Sequence, residues 1–301
     1  MIHEQIELSR WVREFPIEKL RGDARAFVLQ RQKQLPSEYA NGGSVERHIA
    51  LMSPGGEIIV GPSSIAINKQ LRDEAFAKSA YSRRRVPTDT FIWAKGEPKR
   101  RCLTKVGGLP YWPKDMPWPC ESYGRPSRFI AQICFADSAD IIASLPGQVL
   151  LIFGDNDALL DPERLLFKWL PLGITDLITD IPPREDLLTP FYGVIFRTED
   201  WPDSISDLEG KYKYPQHIAI MEGTKIGGSP SWIQDEEPQS GRVIASLGTI
   251  SVAFDQPWPF VNVPEPRGWI DDDRDLKIGD MGLLYLFISS NGTVRAVSQC
   301  Y

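Results

Sequence analysis

The sequence predicts an α+β fold in which a mainly antiparallel β domain, internally duplicated, follows a helical N-terminal region. The first observation is a repeat: Lys-Val-Gly-Gly-Leu-Pro-Tyr-Trp at residues 105–112 recurs as Lys-Ile-Gly-Gly-Ser-Pro-Ser-Trp at residues 225–232. The second is that short runs of β-branched and aromatic residues accompany each copy, in a chain with 24 Gly and 25 Pro. The third is helical spacing of the apolar residues before Pro87.

Residues 1–86 are predicted to form a helical N-terminal appendage. Apolar residues recur three, four and seven positions apart over residues 17–35, and a second helical pattern covers residues 67–81. Between them, the apolar run at residues 58–60 is flanked by Gly- and Pro-rich turns, which predicts a loop or a brief hairpin. The basic cluster at residues 83–85 is interpreted as a solvated helix end.

Residues 87–301 are predicted to form one β-rich unit made of two pseudo-repeats, at about residues 90–200 and 210–301. Strands are expected at residues 90–94, 128–133, 148–153, 192–197, 242–247, 249–255 and 283–287. Residues 161–166 begin with Asp-Pro, which predicts a short helix with Asp161 as its N-cap.

Composition indicates a globular protein with an acidic surface. Of the 301 residues, 42% are hydrophobic and 25% are charged, and the formal net charge is −6. This balance argues against broad nucleic-acid binding and favours basic partners. With acidic residues at the N-terminus and no apolar run long enough to span a bilayer, we expect a cytoplasmic protein without a membrane partner. The four cysteines are expected to be reduced, and a disulfide between Cys102 and Cys120 remains the alternative.

The repeated turn has two interpretations. Gly-Gly permits positive φ, Pro opposes a helix, and Trp anchors the turn on a core, so the favoured interpretation is a rigid structural turn. The functional interpretation is that both turns meet near a pseudo-two-fold axis. Lys105 and Lys225 would then face an anionic group, with the glycine N–H groups as a nest. Neither copy has nucleotide-binding spacing, and no cofactor is expected.

Blocks around both turns occur in a definite order, at residues 105–113, 118–120, 125–126, 129–133, 225–234 and 279–287. In that order they resemble the YwqG-like family of bacterial proteins of unknown function, over about residues 87–288. The resemblance implies an α+β fold with an internal duplication. Because members of the family occur beside polymorphic toxin systems, it also implies an immunity role. Lys225 and Ser231 stand where the family varies, so no binding residue is transferred.

Residues with catalytic potential are few. The three histidines, His3, His48 and His217, accompany no Gly-x-Ser-x-Gly elbow, which leaves a Ser–His–Asp site unsupported. The acidic runs at residues 155–157 and 271–273 could bind a hard cation, but they lack EF-hand spacing and are interpreted as solvated loops. No metal site is expected.

The favoured function is a non-enzymatic, cytosolic protein-binding module, most concretely an immunity-type protein that neutralises a cognate bacterial toxin. The acidic run Asp235, Glu236 and Glu237, with residues 271–273, would meet a basic surface on the toxin. Complementary charge of this kind accelerates encounter more reliably than it adds affinity.

The alternative is a small-ligand-binding protein or an enzyme with its site between the duplicated halves. A pocket there would combine a few convergent polar groups with aromatic walls. The polar contacts would come from Lys105, Gln132, Lys225 and Gln234. The walls would be Trp112 and Trp232.

Overall fold

The computed structural model describes residues 51–52, 58–59, 85–121, 123–155, 157–204, 219–237, 239–250, 275–280 and 282–301. Within them, 12 strands form one antiparallel sheet. The strands are β1 (Leu51–Met52), β2 (Ile58–Ile59), β3 (Val86–Lys95), β4 (Lys105–Val106), β5 (Arg128–Cys134), β6 (Val149–Gly154), β7 (Leu166–Leu170), β8 (Phe191–Asp200), β9 (Lys225–Gly227), β10 (Arg242–Gly248), β11 (Leu283–Ile288) and β12 (Val294–Gln299). Their order in the sheet is β12-β11-β10-β9-β3-β8-β4-β5-β6-β7; outside this path, β2 pairs with β3, and β1 pairs with β2.

The predicted α+β class is wrong, because the described residues are mostly antiparallel β and include no α-helix of seven or more residues. The predicted helical N-terminal region is corrected with it. Its described parts, β1 and β2, pair as an antiparallel hairpin that continues onto β3. The isoleucines of β2 are β-branched and Ser-Pro-Gly-Gly precedes them, so the local sequence favours a turn between strands. The helices predicted at residues 17–35 and 67–81 lie outside the described residues.

Two repeats of five strands share a central ladder. The first repeat comprises β3–β7 and the second β8–β12, and the long strands β3 and β8 pair from Val86↔Asp200 to Lys95↔Phe191. Each short strand then pairs with the long strand of the other repeat, β4 with β8 and β9 with β3. Both repeats also contain a register shift at the same place, after Phe129 in β5 and after Val243 in β10. The two repeats are therefore joined by strand pairing within one sheet.

Apolar side chains pack against both faces of the sheet. In β6, Leu150 and Ile152 belong to an inner core that both repeats share, whereas Leu151 and Phe153 belong to an outer cluster of the first repeat. The second repeat has its own outer cluster around Tyr285. Strands buried on both faces need apolar residues at every position. This explains why β6 and β11 are continuous apolar runs in the sequence.

The sheet curls until its two end strands face each other. In the described part of the chain, β7 pairs only with β6, and β12 pairs only with β11. The 3₁₀ turn Pro162–Arg164, just before β7, contacts β12. The short helix predicted at residues 161–166 is confirmed only in part: Pro162 begins this turn, but Leu166 already belongs to β7.

Of the strand predicted at residues 249–255, only Thr249 and Ile250 are described. Ile250 forms an isolated bridge with Leu276. Arg85 is the described member of the basic cluster at residues 83–85, and it lies over the ring of Trp201, 4.6 Å from its centroid. That contact and an ion pair with Glu199 place Arg85 at the start of the central ladder.

Candidate functional site

The second repeated turn is built around a buried ion pair. Lys225 Nζ lies 2.8 Å from Asp200 Oδ2 and also donates to the carbonyls of Met221 and Ser229. The backbone N–H of Ser229 donates to the same carboxylate oxygen at 2.9 Å. Gly228 has φ +71°, which turns the chain tightly around the Asp200 carboxylate.

The first turn repeats this arrangement with Glu97 as the carboxylate. Lys105 Nζ donates to Glu97 Oε2 and, at 3.0 Å, to the carbonyl of Leu109. The Leu109 N–H donates to Glu97 Oε1 at 2.8 Å, and Gly108 has φ +64°. Burial lowers the pKa of Lys105 to about 8, although the Glu97 carboxylate opposes the change, and the Arg101 guanidinium lowers the pKa further.

Both turns thus hold an anion that belongs to the protein itself. Lys105 and Lys225 lie on β4 and β9, which are separated in the sheet by the long strands β3 and β8. The structure does not bring the two lysines together. Each turn instead shows the features of the favoured interpretation, a rigid structural turn, with a carboxylate in the nest between lysine and backbone N–H.

Gln132 lies close to Lys105, and its amide is fully engaged. Gln132 is opposite Lys105 in the ladder between β4 and β5 and is buried. Its Oε1 accepts from the N–H of Tyr111 at 2.7 Å, and its Nε2 donates to the carbonyls of Arg101 and Leu103, each at 2.7 Å. The side chain therefore fastens the loop before β4 to the turn that follows it.

The two tryptophans of the repeated turns pack in different hydrophobic clusters. Trp112 is buried, with ring centroids 6.0 Å from Trp118 and 5.2 Å from Phe153. Trp232 is half-buried, and its ring centroid lies 4.6 Å from that of Tyr285. Each ring covers the outer cluster of its own repeat. They do not form two walls of one pocket.

The acidic loop, defined as Gln234, Asp235, Glu236 and Glu237, is exposed but anchored. Its anchor is Gln299 at the end of β12, a buried residue that sequence reasoning missed. Gln299 Oε1 accepts from the N–H of Gln234 at 3.1 Å, and its Nε2 donates to the carbonyl of Asp235 at 2.8 Å and to Glu237 Oε1 at 3.2 Å. The carboxylates are consequently presented to solvent from a fixed backbone.

The acidic loop borders a groove between the two end strands of the sheet, here called the edge groove. Its volume is about 640 Å³, within the range of typical ligand sites. Phe167 of β7 and Val294 and Ala296 of β12 supply apolar lining, and Glu163 and Glu237 supply carboxylates. The sequence offered no signal for this groove, because its two walls come from the last strand of each repeat.

The charge of this surface is mainly negative. Among the described residues, Glu163, Asp235, Glu236 and Glu237 form no ion pair with any other side chain. Arg295 is the basic residue in the lining, and its guanidinium donates to Ser240 Oγ at 3.4 Å. Unpaired, solvated carboxylates beside an apolar groove favour a ligand that combines positive charge with apolar groups.

The remaining candidates for chemistry have structural roles or lie elsewhere. Arg164 pairs with Asp155 and Asp157, and Asp155 also accepts the N–H groups of the 3₁₀ turn Asp157–Leu159. Over the described residues, no group of three or more His, Cys, Asp or Glu is placed to hold a metal ion. His3, His48, His217 and residues 271–273 lie outside the described part. No helix in that part is long and apolar enough to cross a membrane.

The cysteines are all free, so the alternative disulfide between Cys102 and Cys120 is not formed. Cys102 is buried beside Cys134, whereas Cys120 is exposed. A hydrogen bond from the Cys134 thiol lowers the pKa of Cys102, with Arg100 adding to the effect and burial opposing it.

Together, fold and site define an internally duplicated antiparallel β protein with two structural lysine turns and one acidic, partly apolar edge groove. Residues 104–161 match a family described as a domain of unknown function, DUF1963. The matched residues run from the first repeated turn to the loop before β7. No curated protein matches the chain.

Proposed function

We propose that this protein is a non-enzymatic protein-binding module that binds a basic segment of a partner protein at the acidic loop and the edge groove. The observation that carries the proposal is the position of the acidic loop. Its three carboxylates form no ion pair within the described structure, and Glu237 belongs to both the loop and the groove lining.

Anchoring of the loop favours binding. A flexible acidic loop would lose conformational entropy when a partner ordered it, which costs roughly 0.5–1.5 kcal/mol for each immobilised side chain. Gln299 holds the loop backbone through bonds to Gln234 and Asp235 before any partner arrives. The loop is therefore preorganised, and its negative charge would steer a basic partner toward the groove.

The most concrete form of the proposal is an immunity-type protein that neutralises a bacterial toxin in the cytoplasm. The support for a toxin partner is the resemblance to YwqG-like proteins over about residues 87–288, a relationship we retain as part of the proposal. The support for a cytoplasmic location is the free state of all four cysteines, which fits a reducing compartment.

The test is a tagged pull-down from the native host at moderate salt, with stoichiometry from quantitative mass spectrometry. Wild type is compared with the triple variant Asp235→Lys, Glu236→Lys and Glu237→Lys. The matched control, Asp115→Lys, Asp176→Lys and Asp180→Lys, makes the same change of charge at exposed positions outside the acidic loop and the edge groove.

We expect one near-stoichiometric basic protein with wild type and with the control, and its loss with the loop variant. All three proteins should melt at similar temperatures, because the substituted side chains are exposed. Equal capture by the loop variant would refute the acidic loop as the contact. An empty pull-down with wild type would refute the binding function itself.

A further inference from the structure

We propose that the edge groove binds its partner by strand addition: an extended basic segment pairs with the free edge of β12, with β7 as the opposite wall. This inference rests on the proposed function and specifies how the partner is held. Addition of a strand to an open sheet edge uses backbone hydrogen bonds for affinity and alternate side chains for specificity.

The hydrogen-bond pattern shows which groups of β12 face the groove. Ser289 N donates to Thr293 O at 3.0 Å at the start of the hairpin between β11 and β12. In an antiparallel ladder, the backbone N–H and C=O groups of successive residues point alternately toward the partner strand and away from it. The register therefore directs the N–H and C=O groups of Val294, Ala296 and Ser298 away from β11. All three residues line the edge groove.

The opposite wall is arranged in the same way. Gln148 N donates to Leu170 O at 3.0 Å, so the backbone of Leu170 faces β6. Alternation turns Lys168 and Leu166 toward β6 as well, and the backbone groups of Phe167 away from it. Both walls of the groove are thus open strand edges. Within the described chain, no other strand pairs with either edge.

Strand lengths set the size of the bound segment. β7 has 5 residues and β12 has 6. At roughly 3.4 Å per residue, they present edges about 17–20 Å long, which a partner segment of about five or six residues would cover.

The lining sets its chemistry. Alternate side chains of the segment would pack on Phe167, Val294 and Ala296, and the others would point toward Glu163 and Glu237. Charge complementarity therefore selects an extended segment in which apolar and basic residues alternate. A second copy of this chain is the competing occupant, because open edges also pair with one another. Exposed Arg295 on each β12 would oppose that pairing by bringing like charges together.

The experiment measures binding of defined peptides to the purified full-length protein by calorimetry. The probe is the acetylated, amidated octapeptide (Lys-Val)4. One comparison peptide carries N-methyl groups on the valines, which removes alternate N–H donors without changing charge. The other is (Glu-Val)4. Light scattering reports whether the free protein is a monomer.

Two protein variants separate backbone pairing from the side chain. Ala296→Pro removes an outward N–H of β12 and spares the bonds to β11, because proline is tolerated where an edge N–H faces away from the sheet. Ala296→Ser retains the N–H at the same position. Equal melting temperatures for both variants would show that the β11–β12 hairpin is intact.

We expect (Lys-Val)4 to bind wild type and Ala296→Ser equally, and to lose affinity about tenfold on Ala296→Pro or on N-methylation, as loss of one or two backbone hydrogen bonds implies. (Glu-Val)4 should not bind. If Ala296→Pro does not fold, the N-methylated peptide on wild type decides alone. Unchanged affinity after N-methylation, or no binding of (Lys-Val)4 to wild type, would overturn strand addition. A dimer that only Ala296→Pro dissociates, without peptide binding, would overturn it in favour of a second copy.

The two proposals fail in different ways. A native partner that the acidic-loop variant loses but Ala296→Pro binds at wild-type affinity would overturn strand addition and leave the proposed function standing. A native partner whose affinity drops with both variants supports strand addition and the proposed function together.

Discussion

Lys225 and Asp200 form an ion pair with 2.8 Å between Nζ and Oδ2, and neither side chain is more than 1% exposed. The carboxylate of this pair also accepts the N–H groups of Met221 and Ser229, so the pair fixes the backbone on both sides of β9. The equivalent pair of the first repeat differs in one respect: Glu97 keeps 36% of its side chain exposed, whereas Lys105 is buried. The two repeated turns share the same arrangement of lysine, carboxylate and backbone N–H, but their carboxylates differ in solvent exposure.

Because Asp200 and Glu97 differ in exposure, replacing the two lysines should lower the free energy of unfolding by different amounts. Lys225→Met would leave a carboxylate buried without its cation, which costs about 3–5 kcal/mol of unfolding free energy. Lys105→Met should cost only about 1–2 kcal/mol, because Glu97 can turn toward water and keep its charge hydrated. Urea unfolding of both variants, each the control for the other, measures the difference. Equal losses would show that exposure of the carboxylate does not set the cost.

The lowered pKa of Lys105 also predicts that the free energy of unfolding depends on pH. Its pKa is lowered by burial from 10.5 to about 8. Between these values the unfolded chain holds the proton and the folded chain does not, so the contribution of Lys105 to stability rises with pH. From pH 8 to 9.5, wild type should gain about 1–2 kcal/mol relative to Lys105→Met, at up to about 1.4 kcal/mol per pH unit. Denaturant unfolding of both proteins at the two pH values tests this. If the two proteins differ in free energy of unfolding by the same amount at both pH values, the pKa of Lys105 is not lowered.

How far the sequence predicts the fold depends on which strand is considered. Strands buried on both faces, such as β6 and β11, are long apolar runs and were predicted within about a residue of their ends. The edge strands β7 and β12 were missed. Each has exposed positions, and the charged residues Lys168 and Arg295 at these positions interrupt the apolar pattern. The sequence pattern places β4 and β9 within turns, because strands of two or three residues have no periodicity.

The site was predictable only where a local pattern marks it. The acidic loop was identified from consecutive carboxylates, but its anchor Gln299 is 64 residues from Asp235. The carboxylates that pair with the repeated lysines escaped notice for a similar reason. Glu97 precedes its lysine by 8 residues and Asp200 by 25, so no common spacing exists. Both relationships depend on how the sheet folds, which local patterns do not encode.

The second glycine of each repeated turn lies against the carboxylate, so replacing it by alanine should cause a steric clash. Gly124, which lies outside both turns, is the control for backbone strain alone. Gly228 has φ +71°, and a Cβ there would collide with the Asp200 carboxylate. Gly124 has φ +78°, and no atom lies within 4 Å of its added Cβ. Gly124→Ala should cost only the backbone strain of about 1–2 kcal/mol, and Gly228→Ala should cost at least about 2 kcal/mol more, because the ion pair must move. Thermal and urea unfolding of both variants compares them. Similar losses would show that the carboxylate can shift freely.

The hydrogen bonds of Gln299 to the backbone of the acidic loop predict that this side chain preorganises the loop for binding. Replacing it by Leu keeps the volume but leaves the N–H groups of Ile233 and Gln234 without their acceptor, which should cost about 1–3 kcal/mol. Amide hydrogen exchange in the acidic loop should accelerate, and capture of a basic partner should weaken even though every carboxylate remains. Gln148→Leu is the control, because it removes the acceptor of the Leu172 N–H, a comparable side-chain-to-backbone bond outside the acidic loop. Faster exchange with undiminished capture would separate loop rigidity from binding, and would leave surface charge alone as the basis of recognition.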